Sequence, residues 1–233
     1  MVLIITNIID ENAPVLLKKF PAGEATLITS RELSNTLLSI NVSHFENLRI
    51  RIDGNELSVK DIKGVITLIP SIMPQELIHI EKKDRNYVCS EMNAFLIYFL
   101  SELKCIKVNE PSCNCLSGFN YDMVYWSYLA ESLSIPVFPY RLKNNHLTVS
   151  YFNNNCKTIR MAGVGKEINN ANDNDCCRYF SALKSKIDLS YLSASFITED
   201  EKHYRLANVS TLPDITLPSM QDAIVNYFLN EAQ

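Results

Sequence analysis

Apolar residues fill positions 1–5 almost without interruption, as in a parallel strand covered on both faces. Asp10 follows at once and is placed to cap a short helix over 11–20. Residues 25–29 form a second strand-like run. Apolar and polar residues then alternate over 48–52 and 56–59, on either side of Asp53-Gly54-Asn55, which predicts a hairpin. Residues 64–69 before Pro70 predict another buried strand. Strands alternating with helices to about residue 110 predict a small open α/β sheet of the Rossmann type.

From 86 to 103, Val88, Met92, Phe95, Leu96, Phe99 and Leu103 recur at three and four residues, the stripe of a helix packed on that sheet. A second helix is predicted over 120–133, where the sole tryptophan, Trp126, is best explained by core packing. Residues 146–152 and 157–161 predict two strands joined by Asn153-Asn154-Asn155, and 165–175 an exposed loop. A helix over 174–186 leads to strands over 192–197 and 203–209, separated by an acidic turn at 198–202. The last helix, 219–231, carries Ala223, Ile224, Tyr227 and Phe228 on one side. No internal repeat is visible, and no linker long enough to separate independent domains.

Composition narrows the function classes. At 233 residues and 47% hydrophobic content the chain can bury a substantial core, which argues against disorder. With 22 basic against 26 acidic residues there is no positive excess to neutralise a phosphate backbone, so nucleic acid is not an expected partner. The longest apolar runs fall short of the roughly 18 to 20 residues that span a bilayer. The amino terminus has no basic region and meets Asp10 and Glu11 early, as a first strand rather than a signal peptide would, so a cytoplasmic protein is expected. The seven cysteines include Cys113-Asn114-Cys115 and Cys176-Cys177, neither a C-x2-C pair, and the four histidines lie apart from them. Reduced structural thiols and no metal site are expected.

Gly163-Val164-Gly165-Lys166 invites a phosphate-loop interpretation, but Arg160 and Glu167 occupy positions where a P-loop has glycine and a hydroxyl residue. The turn after the first strand, Asn7-Ile8-Ile9-Asp10, has no G-x-G-x-x-G. No serine, cysteine or threonine sits in a nucleophile elbow. The acids Asp173/Asp175 and Glu199/Asp200/Glu201 fall in predicted turns, where a solvated surface explains them.

From 84 to 139 an apolar helix, a strand ending in Val108-Asn109-Glu110-Pro111, a second helix and Ser134-Ile135-Pro136-Val137 follow in order. This layout resembles the end of the N-terminal domain of ATP-grasp ligases, in the branch that modifies ribosomal peptides, such as graspetide and microviridin maturation ligases. Further on, Tyr204-Arg205-Leu206-Ala207-Asn208-Val209-Ser210-Thr211-Leu212-Pro213 is similar, without gaps, to that family's L-E-V-N-P-x-P strand end. The resemblance implies a Rossmann-like pre-ATP-grasp domain over 1–139. A reduced ATP-grasp half with antiparallel strands would follow over 140–233.

Such enzymes join a carboxylate to an amine or hydroxyl through an acyl phosphate, with magnesium ions bridging ATP phosphates. This chain departs from that pattern where the chemistry sits. Asn208 stands in place of the metal-binding glutamate, and Ser210 in place of the asparagine. Ser193 or Ser195 falls near the earlier aspartate, and Met123 replaces a lysine. Only residues 140–145 stand where relatives carry a nucleotide-covering lobe. Losing carboxylates and lobe together leaves developing phosphate charge unneutralised.

The resemblance thus implies a catalytically inactive accessory or binding protein, for a peptide or for a partner such as a full-length ATP-grasp ligase, with no cofactor. A divergent carboxylate-amine ligase, using ATP and magnesium and active only with a second subunit, is the alternative. An unrelated small α/β domain, with Asn109, Glu110 and Ser112 at the sheet's carboxyl edge, is the third. A dimer is one assembly compatible with either ATP-grasp case. No catalytic residue is assigned. The ligand-binding candidates are Glu91, Asn109 and Ser112 beside the first sheet, and Arg178, Asp188, Asn208 and Ser210 in the second half. Backbone bonding by Asn109, a surface pair of Arg178 with Asp188, and strand-end capping by Asn208 and Ser210 are the structural alternatives.

Overall fold

The structure is a computed structural model describing residues 1–35, 42–52, 55–143, 146–149, 156–169, 174–200 and 202–231. In chain order its elements are β1 (Val2–Thr6), α1 (Ala13–Lys19), β2 (Ala25–Thr29), α2 (Ser30–Asn35), β3 (Arg49–Ile52), β4 (Asn55–Ser58) and β5 (Gly64–Thr67). Then come α3 (Arg85–Glu102), β6 (Ile106–Lys107), α4 (Met123–Ser132), β7 (Tyr140–Lys143), β8 (His146–Val149) and β9 (Lys157–Val164). The chain continues with β10 (Glu167–Asn169), α5 (Asn174–Lys186), β11 (Tyr191–Thr198), β12 (Arg205–Ser210) and α6 (Pro218–Glu231). Among the described residues no helix is long and apolar enough to cross a membrane.

The chain divides into two compact units, Met1–Phe119 with Leu212–Gln233, and Asn120–Thr211. Their limits differ from the 139/140 boundary expected from sequence, for packing reasons. Trp126, Leu129 and Ala130 of α4 enter the same apolar cluster as Met161, Phe180 and Phe196, so α4 belongs with the second sheet. At the other end α6 returns to the first unit, where Phe228 lies against Gly64; a Cβ on that glycine would stand 2.5 Å from the ring.

The first unit is built on a parallel sheet of order β2-β1-β5-β6. Period-2 alternation divides its side chains between two faces. Leu3, Ile5, Ile28 and Val65 join Leu96, Phe99 and Leu100 of α3 in one cluster, while Gly64, on the opposite side of the pleat from Val65, receives α6. Ile4, Ile5, Ile28 and Ile66 are wholly buried, and each such side chain stabilises the fold by about 1.5–3 kcal/mol relative to exposure. The helix starts later than expected, at Ala13 with Asn12 rather than Asp10 as its N-cap, and Asp10 ties the turn before it: its Oδ1 accepts from the amides of Asn12 (2.9 Å) and Ala13 (3.2 Å), and its Oδ2 from Thr6 Oγ1 (3.1 Å). The β3–β4 hairpin pairs Ile50 with Leu57 as the alternation predicts. Its turn residues Asp53 and Gly54 lie outside the described residues.

The second unit centres on an antiparallel sheet of order β10-β9-β11-β12. Here two expectations are corrected. The strand at 146–149 pairs with β7, not with β9, so Tyr140–Lys143 is a strand of a hairpin rather than a bare link. The connecting turn expected at Asn153-Asn154-Asn155 lies outside the described residues. The loop expected over 165–175 begins instead with β10, which pairs with β9 around the Gly165-Lys166 turn. Short, polar Glu167-Ile168-Asn169 carries too little periodicity to announce a strand; the ladder with β9 makes it one.

Ile135-Pro136-Val137 runs parallel beside β12, with Leu206 N–H donating to Pro136 O and Phe138 N–H to Leu206 O, both at 2.8 Å. The helix before it ends in a Schellman arrangement: Ile135 N–H donates to Ala130 O (2.8 Å) and Ser134 N–H to Glu131 O (3.0 Å). Ser134 adopts the left-handed φ of 56° that this motif requires. An L side chain there costs about 1–2 kcal/mol, against about 0.4–1 kcal/mol of extra chain entropy lost by glycine. Ser134→Gly is therefore expected to stabilise the protein by about 0.5–1 kcal/mol, seen as a rise of about 2–3 °C in Tm. A lower Tm would contradict this account of the helix end.

Candidate functional site

Strand register assembles the polar positions of the second half. Ser193 of β11 lies opposite Ser210 of β12 and Ala162 of β9, and Ser195 lies opposite Asn208 and Arg160. Directly opposed residues share a face. Ser193, Ser195, Asn208, Ser210 and Arg160 therefore stand on one side of the sheet, while Met161, Ala194 and Val209 join the apolar cluster on the other. Ser193 Oγ donates to Ser210 O at 3.3 Å. The three serines are half-buried, and Asn208 and Arg160 are exposed.

A β-bulge between Ser195 and Phe196 leaves Ala207 as the extra residue of β12. It brings Arg205 opposite Ile197 and onto the same face as Asn208, although the two are an odd number of residues apart. Arg160 of β9 and Arg205 of β12 thus stand at the Ser195–Asn208 end of the quartet, their backbone positions roughly 12 Å apart across two strand spacings and two residues along the strands. Arg205 also lines a small pocket with Phe138, Ile197, Glu199, Asp200 and His203.

This donor set does not suit magnesium, which takes hard anionic oxygen. Three hydroxyls and an amide supply none. The carboxylate that register does place on this face, Glu167 opposite Val164, lies about 13 Å along the strands from Arg160's level. Among the described residues, no group of three or more His, Cys, Asp or Glu side chains is arranged to hold a metal ion. Met123, where the family resemblance implies a lysine, packs against the unit's apolar cluster.

Near Gly163-Val164-Gly165-Lys166 there is a hairpin rather than a phosphate cradle. Gly163 lies close under α5, where a Cβ would approach a Phe180 ring carbon at 3.2 Å.

The remaining candidates are placed apart from this face on their own elements. Arg178, exposed on α5, pairs with Asp175 at 3.0 Å and lies over the Tyr179 ring, and Asp188 is exposed beyond the helix. Asp173, its expected neighbour in the acidic turn, lies outside the described residues. Asp200 organises the β11–β12 turn: Oδ1 accepts from the amides of Lys202 (3.0 Å) and His203 (2.9 Å), and Oδ2 meets His203 Nδ1 at 2.5 Å. The His203 ring, followed by those backbone amides, holds the Asp200 carboxyl far below the usual carboxylate range. Glu201 is outside the described residues.

In the first unit, Asn109 and Ser112 follow β6 at the carboxyl edge of the sheet and are buried. Both tie their own loop together: Asn109 Nδ2 donates to Ser117 O (3.2 Å), and Ser112 Oγ lies within bonding distance of Asn114 Oδ1, Cys115 O and Gly118 O. Glu91 is exposed on α3. Its neighbour Asn93, which no sequence signal singled out, clamps the loop after β5 by bonding both the N–H and the C=O of Ile72. Arg160 was also missed as a member of this polar face. Its signal was the exposed, alternating start of β9, which only the pairing with Ser195 converts into a location.

Among the cysteines, Cys105 directly precedes β6 and shares a surface pocket with Lys107 and Glu110. Burial pushes its thiol up to about 11, with Glu110 adding to the rise and Lys107 opposing it.

No family profile matches the sequence, and no curated protein matches it. Solved structures match its fold from end to end. Macrocyclase MdnC from Microcystis aeruginosa MRC, bound with precursor peptide MdnA, superposes with a TM-score of 0.74 at 12% identity, over 99% of this chain and 100% of that one. A RiPP-associated ATP-grasp ligase of Chryseobacterium gregarium, in complex with ADP and a leader and core peptide, gives 0.69 at 11%, over 100% and 97%. D-alanyl-alanine synthetase A from Vibrio cholerae O1 biovar eltor gives 0.60 at 9%, over 99% and 98%. The chain has the fold of the ATP-grasp ligases. Within that fold its likeness extends to the peptide-modifying branch, as the order of motifs over 84–139 implied.

Two predictions follow from the loop and the thiol. Gly118 has φ +109°, and a Cβ there would stand 2.9 Å from that of Asn109; Gly118→Ala is expected to lower stability by about 1–3 kcal/mol in urea unfolding. Unfolded Cys105 ionises near pH ~8.5, below its folded value of about 11. Its contribution is fully present below the unfolded value and is lost as pH rises through the folded one. Wild type should therefore lose more stability than Cys105→Ala between pH ~8.5 and ~11, and parallel pH profiles would refute the assignment.

Proposed function

We infer that this protein is a non-catalytic, ATP-grasp-like binding protein whose polar sheet face receives an acidic peptide segment. The observation that carries the proposal is the neutral quartet Ser193, Ser195, Asn208 and Ser210 with Arg160 and Arg205 on the same face at its Ser195–Asn208 end. Guanidinium forks bind carboxylates through paired N–H donors, and serine hydroxyls with an asparagine amide complete hydrogen bonds without adding charge. Catalysis of acyl phosphate formation needs anionic ligands for the ions that bridge the phosphates, and this face offers hydroxyls and an amide at those positions. The peptides held in the MdnC and Chryseobacterium gregarium structures support a peptide as the bound partner.

Isothermal titration is the test. Mg-ATP is expected to give no micromolar binding, whereas a synthetic peptide rich in Glu and Asp binds. Arg160→Ala should weaken that peptide by about tenfold or more, the loss of one charge-assisted bond of about 1.5–3 kcal/mol. Micromolar Mg-ATP affinity together with ATP-dependent joining of a carboxylate to an amine, by this chain alone or with an added ligase, would overturn the proposal.

A further inference from the structure

Helix α4 is apolar on two faces. Trp126, Leu129 and Ala130 enter the core of the second unit, yet Val124, Tyr125 and Tyr128 remain 56%, 37% and 72% exposed. Val124, Tyr125 and Tyr128, at i, i+1 and i+4, share one side of the helix, and Tyr121, half-buried against the core cluster just before the Asp122 N-cap, adjoins them. Tyr121 and Tyr125 stack with centroids 3.9 Å apart and an interplanar angle of 22°, which makes one end of the stripe a flat aromatic platform. A helix face left to water would carry charged residues. Exposed Val124, Tyr125 and Tyr128 beside one another mark an interaction surface, because tyrosine supplies large contact area at low entropic cost.

Charge decides what covers the stripe. Over 120–134 the ionised side chains are Asp122 and Glu131, both exposed, and the segment contains no Lys, Arg or His. These acids bracket the stripe, about 13 Å apart at the helical rise. Tyrosine faces themselves attract cations. A second copy laid antiparallel would oppose Asp122 to Glu131, and an anionic lipid surface would be repelled by both.

We propose that the outer face of α4 is a docking site for a basic amphipathic helix of a partner chain, its apolar side chains on Val124 and the tyrosines and its Lys or Arg residues against Asp122 and Glu131. The site stands on α4 alone and does not depend on the Arg160 face.

Fluorescence anisotropy on the full chain tests it with two synthetic helices about four turns long, identical in their apolar stripe, one flanked by Lys and Arg and the other by Glu. The basic helix is expected to bind about tenfold or more tightly than the acidic one. Val124→Ser with Tyr128→Ser should abolish the difference while leaving the Tm unchanged, and Glu131→Lys should weaken the basic helix several-fold. Equal affinity for both helices, no binding of the basic one, or insensitivity to the double substitution would overturn the proposal, as would concentration-dependent dimerisation lost in that variant. Binding of an acidic peptide that still responds to Arg160→Ala would survive such a failure, so the two readings fail separately.

Discussion

Antiparallel pairing of β11 with β12 on one side and β9 on the other fixes where the polar groups of the candidate site stand. Opposed residues share a face, so a one-residue slip of β12 against β11 would send Asn208 and Ser210 into the apolar cluster and turn Val209 to water. The cluster beneath, with Met161, Phe180, Leu192 and Phe196, forbids that slip, because uncovering such side chains costs about 1.5–3 kcal/mol each. The single irregularity, the bulge at Ala207, is what turns Arg205 to the same side as Asn208. The chemistry offered to a ligand is therefore a consequence of core packing on the reverse face.

The first unit shows the opposite use of polar groups. At the carboxyl edge of its parallel sheet, Asn93, Asn109 and Ser112 spend their hydrogen bonds on loop backbone. Buried loop carbonyls and amides need partners, and a side chain that satisfies them holds the loop in one conformation. Lys107 behaves likewise: buried, it bonds Leu103 O and both oxygens of Glu110 at 2.9 Å. Polar residues in a sequence with Rossmann-like layout can thus be internal fasteners, even where the fold class places ligands at that edge.

Near 12% identity, the superposition on MdnC reflects what a core demands. Burial pattern and approximate volume preserve an architecture through extensive substitution, whereas an ion site needs particular charged atoms at particular distances. Fold and site can therefore diverge independently, and here the strand scaffold persists while hydroxyls and an amide stand at the positions the family resemblance assigns to metal ligands.

Periodicity by itself determined the alternating strands and helices of the first unit, the long helix over 85–102, the paired strands β11 and β12 and the helix α5, because burial on one or both faces writes itself directly into local sequence. The resemblance to the family's strand-end motif, not periodicity, singled out Asn208 and Ser210. Tertiary structure alone decided that Tyr140–Lys143 is a strand, that Glu167–Asn169 adds to the sheet edge, that α4 belongs to the second unit and α6 to the first, and that Arg160 stands level with Ser195 and Asn208. The reason is physical: pairing partners, register and the side of the sheet on which a lone arginine emerges depend on contacts between residues far apart in the chain, and no local pattern of hydrophobic and polar positions encodes them.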